Sequence, residues 1–208
     1  MNHHIILASQ SPRRQELLRG LDIPFTVKTI QGLQENYPPT LSPEEVPEYL
    51  AKQKSAAYKT LLKPNTLILT ADTVVIIDGK VLGKPHNESE ARHMLHLLAG
   101  RTHKVVTGVC ITGIDRQCSF SATTDVTFGT LTDNEINYYV SKYHPFDKAG
   151  SYGVQEWIGY MGVERISGSF YNVMGLPVQR LYQLLKHWDK NSDKAFIEQP
   201  DRNLRPIT

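Results

Sequence analysis

Residues 66–85, TLILTADTVVIIDGKVLGKP, are the stretch on which the fold turns. The first twelve are mostly Leu, Ile, Val and Thr, side chains that favour strands, and Asp78-Gly79 is a two-residue hairpin signal. A run this apolar should be buried, yet Asp72 interrupts it. An ionised carboxylate there is costly unless it is paired, hydrogen-bonded or bound to a metal. Asp72 is therefore either the cap of a strand end or a general base or divalent-metal ligand facing a cleft. The segment GKVLGKP invites comparison with a phosphate-binding P-loop and fails it. Three residues rather than four separate its glycines, and Pro85 stands where a magnesium-binding hydroxyl would be. Its Lys84 is carried back by the hairpin toward the strand holding Asp72.

Outward from this hairpin, strands and helices mix. IILA (5–8) reads as a short buried strand. Ser11 as N-cap and Pro12 in the first turn start a helix that Gly20 can end. FTVKTI (25–30) alternates like a strand. Ser42 and Glu45 have capping-box spacing and open a helix expected to reach Leu62, with Pro47 in its first turn or so. Asn87 caps a helix that Gly100 stops, and two strands follow over 103–115 and 118–131. Thr132 and Glu135 form a second capping box for a helix to Tyr143. A glycine-rich aromatic segment leads to a last helix over 178–188. Hairpins among helices predict an α/β or α+β fold built on a mixed sheet, not a doubly wound one.

The chain has 208 residues, enough for one large domain or two small lobes with a shared core. Apolar residues at 40% and charged residues at 21% are ordinary for a soluble globular protein. A formal charge of +2 argues against a general nucleic-acid or membrane-surface binder, so any cationic site must be local. Cys110 and Cys118 lack metal-type spacing; they flank a hairpin turn, where pairing is geometrically conceivable, but the chain otherwise reads as cytosolic. MNHHIILASQ has no charged leader region, and no apolar stretch is long enough to span a membrane. His3 and His4 read as neither tag nor metal site. The expectation is a cytoplasmic protein, one domain over 1–188, and a polar tail over 189–208 that is disordered or extended.

ASQSPRRQELL (8–18) places Arg13 and Arg14 in the first turn of a helix, where the helix dipole disfavours cations. The conflict points to an anion, most simply a phosphate, held by the helix N–H groups and both guanidinium forks. The plain alternative is a solvated surface pair. Lys54, on one face of the second helix, is unremarkable alone. In DKAGSYGVQEWIG (147–159), glycines let backbone approach a ligand, and Gln155 offers a donor and an acceptor to a base edge.

Together, SQSPRR, LQE…P, AKQKSAA, ADTVV, GKP, LLAGRTHKVVTG, FDKAGSYGVQ and GSFYNVMGLP occur in the order found in the Maf family of nucleoside triphosphate pyrophosphatases, which this chain resembles over roughly residues 5–185. The resemblance implies hydrolysis between the α- and β-phosphates, giving a nucleoside monophosphate and pyrophosphate with a divalent cation, Mg2+ or Mn2+. It implies a fold like that of the inosine triphosphatase (Ham1) group: an elongated mixed sheet flanked by helices, with two lobes around a cleft. Within the family, ADT and the YG-x-Q glutamine resemble the dTTP- and UTP-cleaving branch. By the same resemblance Asp72 matches the proton acceptor, Arg13, Thr73 and Gln155 the specificity positions, and Ser9, Arg14, Lys54 and Lys84 the phosphate lining. Glu35 matches an acidic loop position that, with Asp72, is a candidate metal ligand. Gln34 stands where an aspartate is common and Glu156 where a small residue is common, so Glu156 either narrows the base pocket or faces solvent.

Two other readings follow from the same residues. One is a non-enzymatic regulator of cell division that senses a nucleotide in this cleft; the intact Asp72, Lys54 and Lys84 speak against it. The other is an RNA-binding module, against which the modest, clustered charge speaks. The partner expected is the nucleotide itself, with no nucleic acid and no membrane. A homodimer is left open.

Overall fold

In the computed structural model, which describes residues 3–188, the elements in chain order are β1 (His4–Leu7), α1 (Pro12–Arg19), β2 (Phe25–Val27), α2 (Val46–Ala57), β3 (Thr66–Ile77), β4 (Lys80–Leu82), α3 (Glu88–Leu98), β5 (Thr102–Thr112), β6 (Gln117–Phe128), α4 (Asp133–Tyr143), α5 (Trp157–Gly162), β7 (Val163–Ser167), α6 (Phe170–Met174) and α7 (Val178–Lys186). One seven-stranded sheet runs β2-β1-β3-β5-β6-β7, with β4 also paired to β3. β2, β1 and β3 are parallel; β4, β5, β6 and β7 join antiparallel. The expected mixed sheet flanked by helices is therefore the architecture found.

β3 is buried along its length except at half-buried Thr73, as a strand covered on both faces must be. One face, with Val74, Ile76 and Val106, packs on Val46 and Leu50 of α2. The other joins the main core with leucines of α1, α3 and α7. β5 accompanies β3 on one edge from Ile68 to Ile76. On the opposite edge β1 pairs only with Thr66–Leu69 and β4 only with Val75–Ile77. Between them, β3 has no strand partner over 70–74, and this gap holds Asp72.

α2 comes unusually near the sheet beside that gap. Gly108 of β5 lies opposite Asp72, and a Cβ there would stand 2.2 to 2.4 Å from backbone atoms of Pro47 and Glu48. Only glycine permits this approach.

Several expectations shift in detail. α2 starts at Val46, not Ser42. The Glu45 carboxylate accepts from both the backbone N–H (3.0 Å) and hydroxyl (2.7 Å) of Ser42, closing a separate turn before the helix. It ends at Ala57 in a 3-10 turn rather than reaching Leu62. β2 stops at Val27 because its partner β1 ends at Leu7. The glycine-rich segment, left unassigned from sequence, contains α5, β7 and α6. The two thiols are free, and the register excludes their pairing. Cys118 lies opposite Ile111 and Cys110 opposite Ser119, so the thiols point to opposite faces of the sheet. No helix among the described residues is long and apolar enough to cross a membrane. The tail expected over 189–208 lies outside the described residues.

Candidate active site

A cleft of about 590 Å3 opens over the gap in the sheet, within the size range of small-molecule sites. Ser9, Arg13, Arg14, Glu35, Lys54, Asp72, Thr73, Lys84 and Gln155 all line it, so the fold brings together every candidate residue singled out from sequence. With Asp147 and Lys148 the lining holds five cations and three carboxylates, an excess of two that equals the formal charge of the whole chain.

Asp72 is buried on the α2 face of β3. The Nζ of Lys54, presented by α2, donates to its Oδ1 at 2.5 Å and lies 2.9 Å from Glu35 Oε1. Burial pushes the Asp72 carboxyl above the usual range, against the opposing attraction of Lys54 and Arg14. Glu35 feels burial too, but it is more exposed, and the charges of Lys54, Lys84 and Arg14 prevail and hold it below the usual range. Two carboxylates thus share one ammonium and are driven in opposite directions. Gln34 takes no part; its side chain accepts from Asn36 at 3.2 Å on the exposed loop.

α1 begins as expected, with Ser11 Oγ accepting from the N–H of Arg14 and Pro12 in the first turn. Its two arginines then diverge. Arg14 turns inward: Nε donates to Gly175 O (2.9 Å), Nη1 to Ala71 O (2.9 Å) and Ser9 Oγ (3.5 Å), and Nη2 to Thr73 Oγ1 (3.0 Å). It satisfies the β3 carbonyl left unpaired where β1 departs, and desolvation lowers its pKa. Thr73 passes the bond on. Its hydroxyl lies 2.9 Å from that of Thr107, which donates to Asn172 O at 3.1 Å, so Thr73 donates to Thr107 while accepting from Arg14. Sequence suggested a phosphate clamp for Arg14 and a specificity role for Thr73; here both also brace β3 against α6. Arg13 turns along the cleft wall to Asp147, at 2.8 Å from Oδ2.

Asp147 and Lys148 lie in the glycine-rich stretch, where sequence alone gives them no role. Lys148 is buried between Asp147 Oδ1 (2.7 Å) and Glu156 Oε1 (3.1 Å), and Glu156 accepts from the Tyr139 hydroxyl. Arg13 and Lys148 hold the Asp147 carboxyl down at about 2, against partial burial. Glu156 thus neither fills a base pocket nor faces solvent. The only sequence signal for this chain of charges was the adjacent pair of opposite signs in a glycine-rich loop. Gln155 Oε1 is buried with no partner among the described residues.

A cationic cleft at a break in a mixed sheet, with a buried carboxylate at its floor, defines a binding site for a polyanionic small molecule. The family model of the Maf-like proteins matches residues 4–188, and the chain belongs to that family. A dTTP/UTP pyrophosphatase of Phocaeicola vulgatus is 61% identical over 184 residues, 88% of this chain and 95% of that protein. Proteins of the same name from Bacteroides thetaiotaomicron (88% of this chain, 95% of that protein) and Porphyromonas gingivalis (91% and 96%) are each 54% identical. Among solved structures, a HAM1 protein from Coxiella burnetii aligns over 90% of this chain and 99% of its own, at 18% identity and a TM-score of 0.45.

Proposed function

We propose that this chain is a dTTP/UTP pyrophosphatase, hydrolysing the bond between the α- and β-phosphates to release a nucleoside monophosphate and pyrophosphate. The observation that carries the reading is Asp72: a buried carboxylate with a raised pKa, held by Lys54 at the floor of a cationic cleft. Its 54–61% identical relatives, named for this activity, support it.

In this scheme a water oxygen forms a bond to the α-phosphorus while the bridging bond to the β-phosphate breaks, and pyrophosphate leaves with the electron pair. Asp72 accepts the water's proton. Lys54 fixes its orientation. Arg13 and Lys84 counter the triphosphate charge, which grows on the leaving group. Glu35 and Asp72 converge on one ammonium, an arrangement that fits Mg2+ or Mn2+ held by one or two carboxylates and the substrate's own phosphates. When bound, such a cation would neutralise phosphate charge.

Base choice rests on Gln155. Its unpartnered acceptor matches the imino N–H of thymine or uracil; cytosine carries a lone pair there, which would leave buried polar groups unpaired. A nucleotide panel with pyrophosphate detection, with and without a chelator, tests the proposal. The expected result is rapid release from dTTP and UTP, slow release from ATP and GTP, and loss with chelator. Equal rates on all four would overturn the pyrimidine assignment, and no release from any would leave the nucleotide-sensing regulator.

A further inference from the structure

The turn that carries Gln155 is pinned from behind the cleft. The N–H of Glu156 donates to Gly153 O at 3.0 Å, closing a four-residue turn with Val154 and Gln155 at its corners. Val154 points into the core. One phenol holds both ends of this turn. Tyr139, fully buried on α4, accepts from the N–H of Gly153 at 3.0 Å and donates to Glu156 Oε2 at 2.5 Å. A Cβ on Gly153 would lie 2.8 Å from the Glu156 carboxyl carbon, so the missing side chain lets Glu156 fold back over the turn. Glu156 Oε1 then meets Lys148, which continues through Asp147 to Arg13. Burial, then the bond to Glu156 and its charge, push the Tyr139 hydroxyl well above the usual phenol range, so it remains a donor at any working pH.

We infer that Tyr139 and Glu156 are positioning residues for base discrimination: they set the turn from which Gln155 meets the pyrimidine, although neither lines the cleft. The inference rests on the proposed pyrimidine specificity and adds the device that enforces it. A misplacement of about 1 Å in a recognition group can cost up to roughly 100-fold; the Glu156 carbonyl is tied to α5 by the N–H groups of Gly159 (2.8 Å) and Tyr160 (3.3 Å), while the Gly153 N–H and the Glu156 carboxylate are both held by Tyr139.

The test uses Tyr139→Phe, Glu156→Ala and Glu156→Gln. Tyr139→Phe keeps the ring stacked on Tyr143 and removes both hydrogen bonds. Calorimetry gives Kd for α,β-methylene-UTP and α,β-methylene-CTP, and steady-state assays give kcat and KM for UTP and CTP. Tyr139→Phe and Glu156→Ala are expected to lower the UTP-over-CTP preference about tenfold, through Kd and KM, with kcat within about threefold. Glu156→Gln, which keeps an acceptor for the phenol, should retain most of the preference. An unchanged preference in both Tyr139→Phe and Glu156→Ala would overturn the inference, as would a wild-type protein with no preference to lose. Failure of the wild type to release pyrophosphate from UTP would count against the proposed activity alone, because the binding ratio still reports on the turn.

Discussion

The two walls of the cleft handle charge in opposite ways. Around Asp72, ions are sunk into the sheet and each is met by several protein partners: Lys54 by two carboxylates, Arg14 by four oxygens. Along the wall from Arg13 through Asp147 and Lys148 to Glu156, charges alternate in sign in single file, and Asp147 in the middle of the file is exposed. In the proposed reaction the first arrangement is the floor that holds the proton acceptor. The second runs from Arg13 to the turn that carries Gln155 through contacts that can loosen singly. Buried ions are costly to orphan, whereas exposed pairs contribute little to stability, so equal substitutions in the two walls should separate stability from function.

The largest effect is expected at the floor. Asp72→Asn removes the proposed proton acceptor but keeps nearly the same shape, and Lys54 retains Glu35 as a partner. Turnover of UTP should fall about 1,000-fold, within the range for loss of general-base catalysis, while the melting temperature stays close to wild type. Near-normal pyrophosphate release from this variant would remove Asp72 from the chemistry.

Next in size is the contrast between adjacent arginines. Arg14→Ala strips bonds from the buried carbonyls of Ala71 and Gly175 and from Thr73. It should destabilise the fold by about 3 kcal/mol in urea titrations. Arg13→Ala breaks an ion pair whose members are 20% and 56% exposed, so stability should change by less than about 1 kcal/mol. Its effect belongs in KM for the triphosphate. If the two variants were equally stable, the two walls would not differ in the way described.

Much of the floor was legible in the sequence because its signals are local. An aspartate inside a β-branched run and arginines at the wrong end of a helix each violate a short-range rule, and both violations lie at the cleft. The bracing role of Arg14 was not legible. The resemblance separates Arg13 from Arg14, but by local pattern the two look equivalent until the sheet gap at Ala71 supplies carbonyl acceptors to Arg14. The other wall was harder for the same reason. Tyr139 reads as one more helical aromatic, and its link to Gly153 and Glu156 exists only once α4 packs behind the loop. Glycines concealed α5, β7 and α6, since hydrophobic periodicity over five or six residues is too brief to register. The start of α2 was misplaced because Ser42 and Glu45 satisfy a capping pattern that here closes a turn instead.

The smallest expected effect lies beneath the second wall. His103 of β5 is buried, packed edge-on against Phe128 and Tyr152, and its Nε2 lies 2.8 Å from the Tyr152 hydroxyl. Burial lowers its pKa to about 4, with Asp125 opposing the shift only weakly. In the unfolded chain the imidazole titrates near 6.5, so below that pH the unfolded state binds a proton that the folded state refuses. The stability contributed by the neutral ring is complete above about pH 6.5 and is lost as pH falls toward 4, at about 1.4 kcal/mol per unit. Between pH 7 and 4.5 the wild type should therefore lose about 2 to 3 kcal/mol more than His103→Gln, whose side chain does not titrate. Urea unfolding of both proteins at the two pH values measures the difference directly. Because Tyr152 lines the cleft, protonation of His103 would weaken the second wall before the floor. A wild type and variant with parallel pH dependence would mean that the ring takes up its proton at the same pH in the folded and the unfolded chain, so that this wall, like the floor, accommodates a buried ion.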